Sequence, residues 1–263
     1  MKNVWPHFGS ATALSASTML EDLLPLRPLI KAGAEADGPF VRQRTRHAPE
    51  DLGNIRAVEL SFHNFHSFGD LFQKYLKARK SIFIDRLNWH ISEVEGMEFD
   101  QYDTPFCRWV VLVEFGEILG GVRLMPTTAT CGIYSYMLRD AQRGLLDDFP
   151  TDVLFIDPPV DVYAWEATRF FITDCVPGAR RRLIQQMLFS EMNRVAAENG
   201  ARYILGIVPA IWSRWARRLE VTATPIGAPF SIDGSRSQAV LFKVDDVGQD
   251  ASSGIEALTE LSS

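Results

Sequence analysis

Residues 79–103 read RKSIFIDRLNWHISEVEGMEFDQYD. Arg79 and Phe83 stand four residues apart in a helical pattern, so both fall on one helix face. Trp89 follows after a short break, and Gly96 precedes a run that carries Glu98, Asp100 and Asp103. A cation, two large aromatic rings and paired carboxylates in one short segment can line a pocket for a small zwitterion. Taken alone, Arg79 with Asp100 or Asp103 is more often a structural ion pair tying helix to loop, and Phe83 and Trp89 are more often core.

Outward from this stretch, apolar periodicity predicts a helix over 68–87 and a second, amphipathic one over 180–199. Residues 109–115 and 118–124 read as a hairpin turning at Gly116-Glu117, and 134–147 suggest a helix. Strands are expected at 162–172, 203–208, 221–224 and 239–244, with a helix at 210–219. A hairpin followed by alternating strands and helices gives a mixed α/β sandwich. The strand 162–172 contains an oddity: Glu166 and Arg169 sit among Trp165, Phe170, Phe171 and Ile172. Charged groups are seldom buried without partners or a task. Strand alternation points positions 166 and 169 to opposite faces, so a bulge is expected nearby to bring both to one cleft. Burial among aromatics raises the pKa of Glu166; Arg169 as its partner would lower it.

The chain has 263 residues and a net charge of -6, which argues against a general nucleic-acid binder. No apolar run reaches the length of a membrane span, and no secretory pattern opens the chain, so a cytoplasmic protein is expected. Cys107, Cys131 and Cys175 share no metal-ligand spacing and read as reduced thiols; no metal is expected. Residues 1–55 read as an extension, with an apolar cluster, MLEDLLPLRPLI, cut by Pro25 and Pro28 and one short helix near 17–24. Residues 56–246 form the expected catalytic domain, and 247–263 a polar tail.

The set Arg79, Phe83, Trp89, Asp100 and Asp103, followed by Arg123 in GGVRLMPTT and by Glu166, Arg169 and Phe170 in WEATRFF, resembles a known signature. It is that of the acyl-homoserine lactone synthases, the autoinducer synthases of bacterial quorum sensing, and order and spacing agree over 57–245. The resemblance implies an acetyltransferase-like (GNAT-like) three-layer sandwich whose twisted mixed sheet is splayed into a V-shaped acyl cleft. It also implies N-acylation of S-adenosylmethionine from an acyl thioester, then lactone closure with release of methylthioadenosine. Both reactants are substrates, and no cofactor is expected. The first set, with Arg123, is then placed around S-adenosylmethionine. Glu166 becomes the proton acceptor, and Arg169 either shares in catalysis or fixes Glu166. Phe170, Leu188, Met192, Gly206 and Val208 are expected to line the acyl cleft, and Gly206 offers no hydroxyl to a 3-oxo group. Arg181, Arg182 and Arg214 are expected to dock an acyl carrier protein. The Gly-rich phosphate motif of the coenzyme A-using acetyltransferases is absent, PGARRR being only a faint echo of it. That favours an acyl carrier protein as donor, although some members of the family use acyl-coenzyme A. Two other readings are a related N-acyltransferase with another amine acceptor and an inactive acyl-binding homologue.

Overall fold

The computed structural model describes residues 54–209, 223–232 and 234–244. The strands there are β1 (Ile55–Leu60), β2 (Glu93–Val94), β3 (Met97–Glu98), β4 (Arg108–Glu114), β5 (Glu117–Pro126), β6 (Ala164–Ile172), β7 (Tyr203–Pro209), β8 (Ala223–Pro225), β9 (Phe230–Ile232) and β10 (Ser235–Lys243). The helices are α1 (Leu71–Lys80), α2 (Met137–Gln142) and α3 (Gly178–Glu198). The expected helices at 17–24 and 210–219, most of the extension and the polar tail lie outside the described residues.

The main sheet runs β1-β4-β5-β6-β7-β10-β8, with β9 also on β10. The hairpin of β4 and β5 turns on Phe115 and Gly116, both at positive φ (51° and 86°), one residue earlier than expected. Two successive positive φ values match the twist of the flanking strands. Every ladder is antiparallel except β6–β7, which is parallel and needs a crossover; α3 supplies it.

Alternation along β4 builds the layers. Trp109 and Val111 face the side of α1, with Tyr75 and Leu76, while Val110 and Leu112 face the side of α3. On α3, Ile184, Leu188, Met192 and Val195 form one buried stripe at helical spacing against that second face. The result is the mixed three-layer sandwich expected from the sequence. Each buried Leu or Ile of the stripe contributes about 1.5–3 kcal/mol relative to exposure.

Beyond the short strands β2, β3 and β9, which were not expected from the sequence, and β10, which starts at Ser235 rather than 239, three further elements depart from expectation. β1 is a paired edge strand at the start of the expected catalytic domain, where no element was expected because Arg56 and Glu59 interrupt its apolar residues. The helix over 68–87 begins only at Leu71, and its last part, Ser81–Arg86, is a π-helical turn. α2 spans six residues instead of 134–147.

The expected bulge is present. Arg123 pairs with Thr168 and Gly121 with Phe171, so Arg169 and Phe170 together oppose Val122. Arg169 takes φ of 56°, an uncommon conformation outside glycine, and the bulge bends β6. Pairing of β6 with β7 runs only from Ala164↔Tyr203 to Ala167↔Gly206. Beyond it the two strands splay into a V.

At the far side of the sheet Gly227 lies against the main chain of Val153: an added Cβ there would sit 1.9 Å from the Val153 carbonyl oxygen. Backbone cannot move aside as a side chain can. Gly227→Ala is expected to destabilise the protein by about 3 kcal/mol, lowering Tm by roughly 6–12 °C at about 2–4 °C per kcal/mol. Thermal denaturation followed by circular dichroism measures this, and an unchanged Tm would refute it.

Candidate functional site

At the C-terminal end of α1, Arg79 is fully buried. Its Nε donates to Glu98, while Nη1 and Nη2 donate to the two oxygens of Asp103 at 2.7 and 3.0 Å. Asp103 also accepts from the Trp109 indole (3.1 Å) and the Asp100 N–H (3.0 Å). Arg123, on β5, grips Asp100 through both Nη atoms (2.5 and 3.1 Å) and donates from Nε to Thr168 Oγ (3.0 Å). Arg169 closes the set, donating to Glu98 Oε1 twice at 3.2 Å and to Asp100 Oδ2 at 2.9 Å. Three arginines thus neutralise three carboxylates in a nearly dry network. Burial pushes the Asp103 carboxyl up, but Arg123 and Arg79 override it and hold it well below the usual range. Asp100 is lowered too: Arg123 and Arg169 outweigh its burial.

The bulge decides where Arg169 points. Its guanidinium carbon stands 5.5 Å from the Phe83 ring centroid and 5.8 Å from that of Trp89, within cation–π range. It does not pair with Glu166, as the sequence suggested. Glu166 instead accepts the N–H groups of Met137 (2.9 Å) and Leu138 (2.8 Å), capping α2 from β6. Burial raises the Glu166 carboxyl to about 7; the two N–H groups and Arg123 pull it down, and Asp140 pushes it up.

A cavity of about 460 Å³ occupies the splay. Phe83, Trp89, Asp100, Tyr102 and Arg169 line one end. Phe170, Phe189, Met192, Val208 and Phe242 line the other, where α3 meets the sheet. Gly206 lies between them, at the last paired position, and a Cβ there would meet the Ala167 carbonyl oxygen at 3.2 Å. The cavity therefore joins a charged, aromatic end to an apolar one.

Of the residues expected around the zwitterion, Phe83, Trp89 and Asp100 line this cavity; Arg79, Asp103 and Arg123 stand behind it and hold Asp100 in place. Leu188, expected in the acyl cleft, is instead wholly buried against the sheet, and its neighbour Phe189 takes that place because it lies a helical step further round. Glu98 was legible only as one acid in a run; the structure makes it the carboxylate that Arg79 and Arg169 share. Among the basic residues, Arg182 is exposed, whereas Arg181 donates to the Thr173 and Ile172 carbonyls at 3.1 and 3.3 Å. Arg214 lies outside the described residues.

Residues 63–251 match the family model of the autoinducer synthases. The chain belongs to that family. The autoinducer synthase is 31% identical over 173 residues to the acyl-homoserine-lactone synthase of Ralstonia solanacearum, covering 64% of this chain and 79% of the relative. It is 27% identical over 169 residues to that of Pseudomonas aeruginosa, covering 63% of this chain and 76% of the relative. Among solved structures, TofI in a ternary complex with an inhibitor and MTA superposes with a TM-score of 0.57 at 28% identity, covering 73% of this chain and 92% of TofI. Among the described residues, no group of His, Cys, Asp or Glu is disposed to hold a metal ion, and no helix is long and apolar enough to cross a membrane.

Proposed function

We propose that this autoinducer synthase acylates the amine of S-adenosylmethionine from an acyl thioester and closes the product to an acyl-homoserine lactone. The observation that carries the reading is the cavity through the β6–β7 splay, in which a charged aromatic end meets an apolar end. The donor set suits a molecule with an ammonium, a carboxylate and a sulfonium: Asp100 answers the cations, Arg169 the carboxylate, and Phe83 and Trp89 the sulfonium or the adenine. The apolar end suits an acyl chain.

In the first step the free amine attacks the thioester carbonyl. The amide C–N bond forms, the C–S bond to the donor breaks, the sulfur leaves as thiolate, and the amine gives up a proton that ends on that thiolate as the free thiol. Glu166, buried behind the cavity but bonded to Met137 of its wall and with its carboxyl raised, serves as proton acceptor through water and returns the proton to the departing thiolate. Main-chain groups beyond the last β6–β7 pair face the reacting carbonyl and stabilise its oxyanion. In the second step the carboxylate oxygen attacks the γ-carbon, the γ-carbon–sulfur bond breaks, and neutral methylthioadenosine departs. The sulfonium is already a good leaving group, so positioning does most of the second step.

The purified protein supplied with S-adenosylmethionine and acyl thioesters should release methylthioadenosine and form a lactone visible by mass spectrometry. Acylation of another amine without methylthioadenosine would favour the related N-acyltransferase reading; no acylation at all would leave an acyl-binding homologue. The reading places the protein in the cytoplasm, beside both substrates.

For the donor we favour an acyl carrier protein, docked on the basic start of α3. Arg182 is exposed there, while Arg180 is held by Glu114 at 2.8 and 2.9 Å. Arg182→Glu is expected to raise KM for an acyl carrier substrate about threefold to tenfold, and added salt to raise it in the parent protein. KM for the matching acyl-coenzyme A should stay unchanged. Equal KM values in parent and variant for the carrier substrate would remove Arg182 from the docking surface.

A further inference from the structure

Tyr102 belongs to neither the arginine network nor the reaction as set out above, yet it ties two parts of the site together. Its N–H donates to Asp100 Oδ1 at 2.8 Å, and its hydroxyl donates to Asp140 Oδ2 at 3.2 Å. It lines the charged end of the cavity although only 3% of it is exposed. Asp140 on α2 is wholly buried and held from several sides: the Ser135 N–H at 2.8 Å, the Ser135 hydroxyl at 2.7 Å and Arg143 at 3.1 Å. The same short helix is capped by Glu166. A chain of contacts therefore runs from β6 through α2 and Tyr102 to Asp100.

Building on the proposed function, we propose that Tyr102 is a positioning residue for the cationic amino acceptor. Hung from Asp140, it keeps the loop of residues 99–104 at the depth where Asp100 forms the cavity wall. The need for such an anchor follows from the network. Asp100 is held by Arg123 and Arg169 together, and Arg169 is the arginine of the three that reaches the cavity. An acceptor whose carboxylate draws Arg169, or whose ammonium meets Asp100, changes the forces on this loop. With the phenol anchored, the loop does not follow, and the ordering entropy is spent in folding instead of in binding. The phenol ring has packing of its own, 5.8 Å from the Arg123 guanidinium carbon and 6.1 Å from the Tyr134 ring, so losing the hydroxyl does not empty the site.

Tyr102→Phe removes the anchor and keeps the ring. The Kd for S-adenosylmethionine by calorimetry, and its KM, are each expected to rise about fivefold. Turnover at saturation and KM for the acyl donor should stay unchanged, a split that general loosening of the fold would not give. Asp140→Asn keeps an acceptor for the phenol but weakens it, and should shift Kd in the same direction by less. The double variant should match Tyr102→Phe in Kd, because the phenol hydroxyl is the route from Asp140 to the Asp100 loop. The bonds of Asp140 to Ser135 and Arg143 hold α2 and show in the melting curve instead. Melting curves confirm that each variant is folded at the assay temperature. Parent-like affinity in Tyr102→Phe, or additive losses in the double variant, overturns the role. A parent protein that itself fails to bind S-adenosylmethionine overturns the proposed function, and this role with it.

Discussion

Glu166→Gln is expected to lower turnover about a hundredfold or more if the proposed role as proton acceptor holds. The amide keeps the shape of the carboxylate but cannot take the amine's proton. It also places an NH₂ against one of two backbone donors, Met137 or Leu138, and so loosens the cap on α2 by about 1–3 kcal/mol. The two losses separate in measurement: a stability loss shows in the melting curve, a chemical one in turnover of protein still folded. The pH dependence carries the same signature. A proton acceptor works ionised, so in the proposed role of Glu166 parent activity should climb with pH about a midpoint near 7, and the variant should lose that limb. The stability link has the opposite sign. The folded protein holds this proton up to about 7, whereas the unfolded chain releases it near the ordinary value of 4.5. The contribution of Glu166 to stability therefore falls as pH rises through that window, and Glu166→Gln should flatten the fall. Parent-like turnover in a stable variant would end the assignment.

The second large effect is structural. Arg79→Met deletes the partner of two carboxylates that lie in the dry interior, Glu98 and Asp103. Removing one member of a buried ion pair costs about 3–5 kcal/mol, and here Arg169 on Glu98 and Arg123 on Asp103 offset only part of the charge left behind. At about 2–4 °C per kcal/mol the melting temperature should drop by roughly 6–20 °C. Arg79→Lys should recover only part, because an ammonium cannot span Glu98 and both oxygens of Asp103 at once. The parent shows a related weakness in acid. Its lowered carboxylates, Asp100 and Asp103, contribute stability above the ordinary carboxylate range, and that contribution is lost as pH falls through their depressed values. A variant melting within a few degrees of the parent would show that Arg79 does not hold this part of the fold.

What the sequence disclosed was mostly what depends on periodicity. The stripe of α3, the β4–β5 hairpin and the apolar run of β6 are local patterns, and each appears where the pattern places it. The bulge could be inferred because two charges in an apolar strand needed a reason to share a face. Their pairing could not. Sequence nearness suggested Glu166 with Arg169, but the left-handed turn at Arg169 carries its guanidinium to Glu98 and Asp100, remote in the chain. Glu166 went to the amides of α2, and no sequence pattern marks a cap delivered by a distant strand. β1 was missed for a related reason: in IRAVEL, Arg56 and Glu59 break any regular alternation, so the strand shows only once its partner β4 is known. Tyr102 and Asp140 left no trace, being ordinary residues made significant by one contact between loops.

The short β6–β7 ladder has a consequence for how this enzyme can change. Four residue pairs join the two parts of the sheet. On one side lies the arginine–carboxylate lattice, where each member is held by others and single replacements are punished. On the other lie Met192, Val208 and Phe242, apolar walls in which one aliphatic side chain can stand in for another. Variation is thus tolerated unequally across the seam: under the proposed function, a lineage can drift toward new chain lengths along β7, β10 and α3 while the charged end stays fixed, and one fold can yield many distinct signals from a single chemistry.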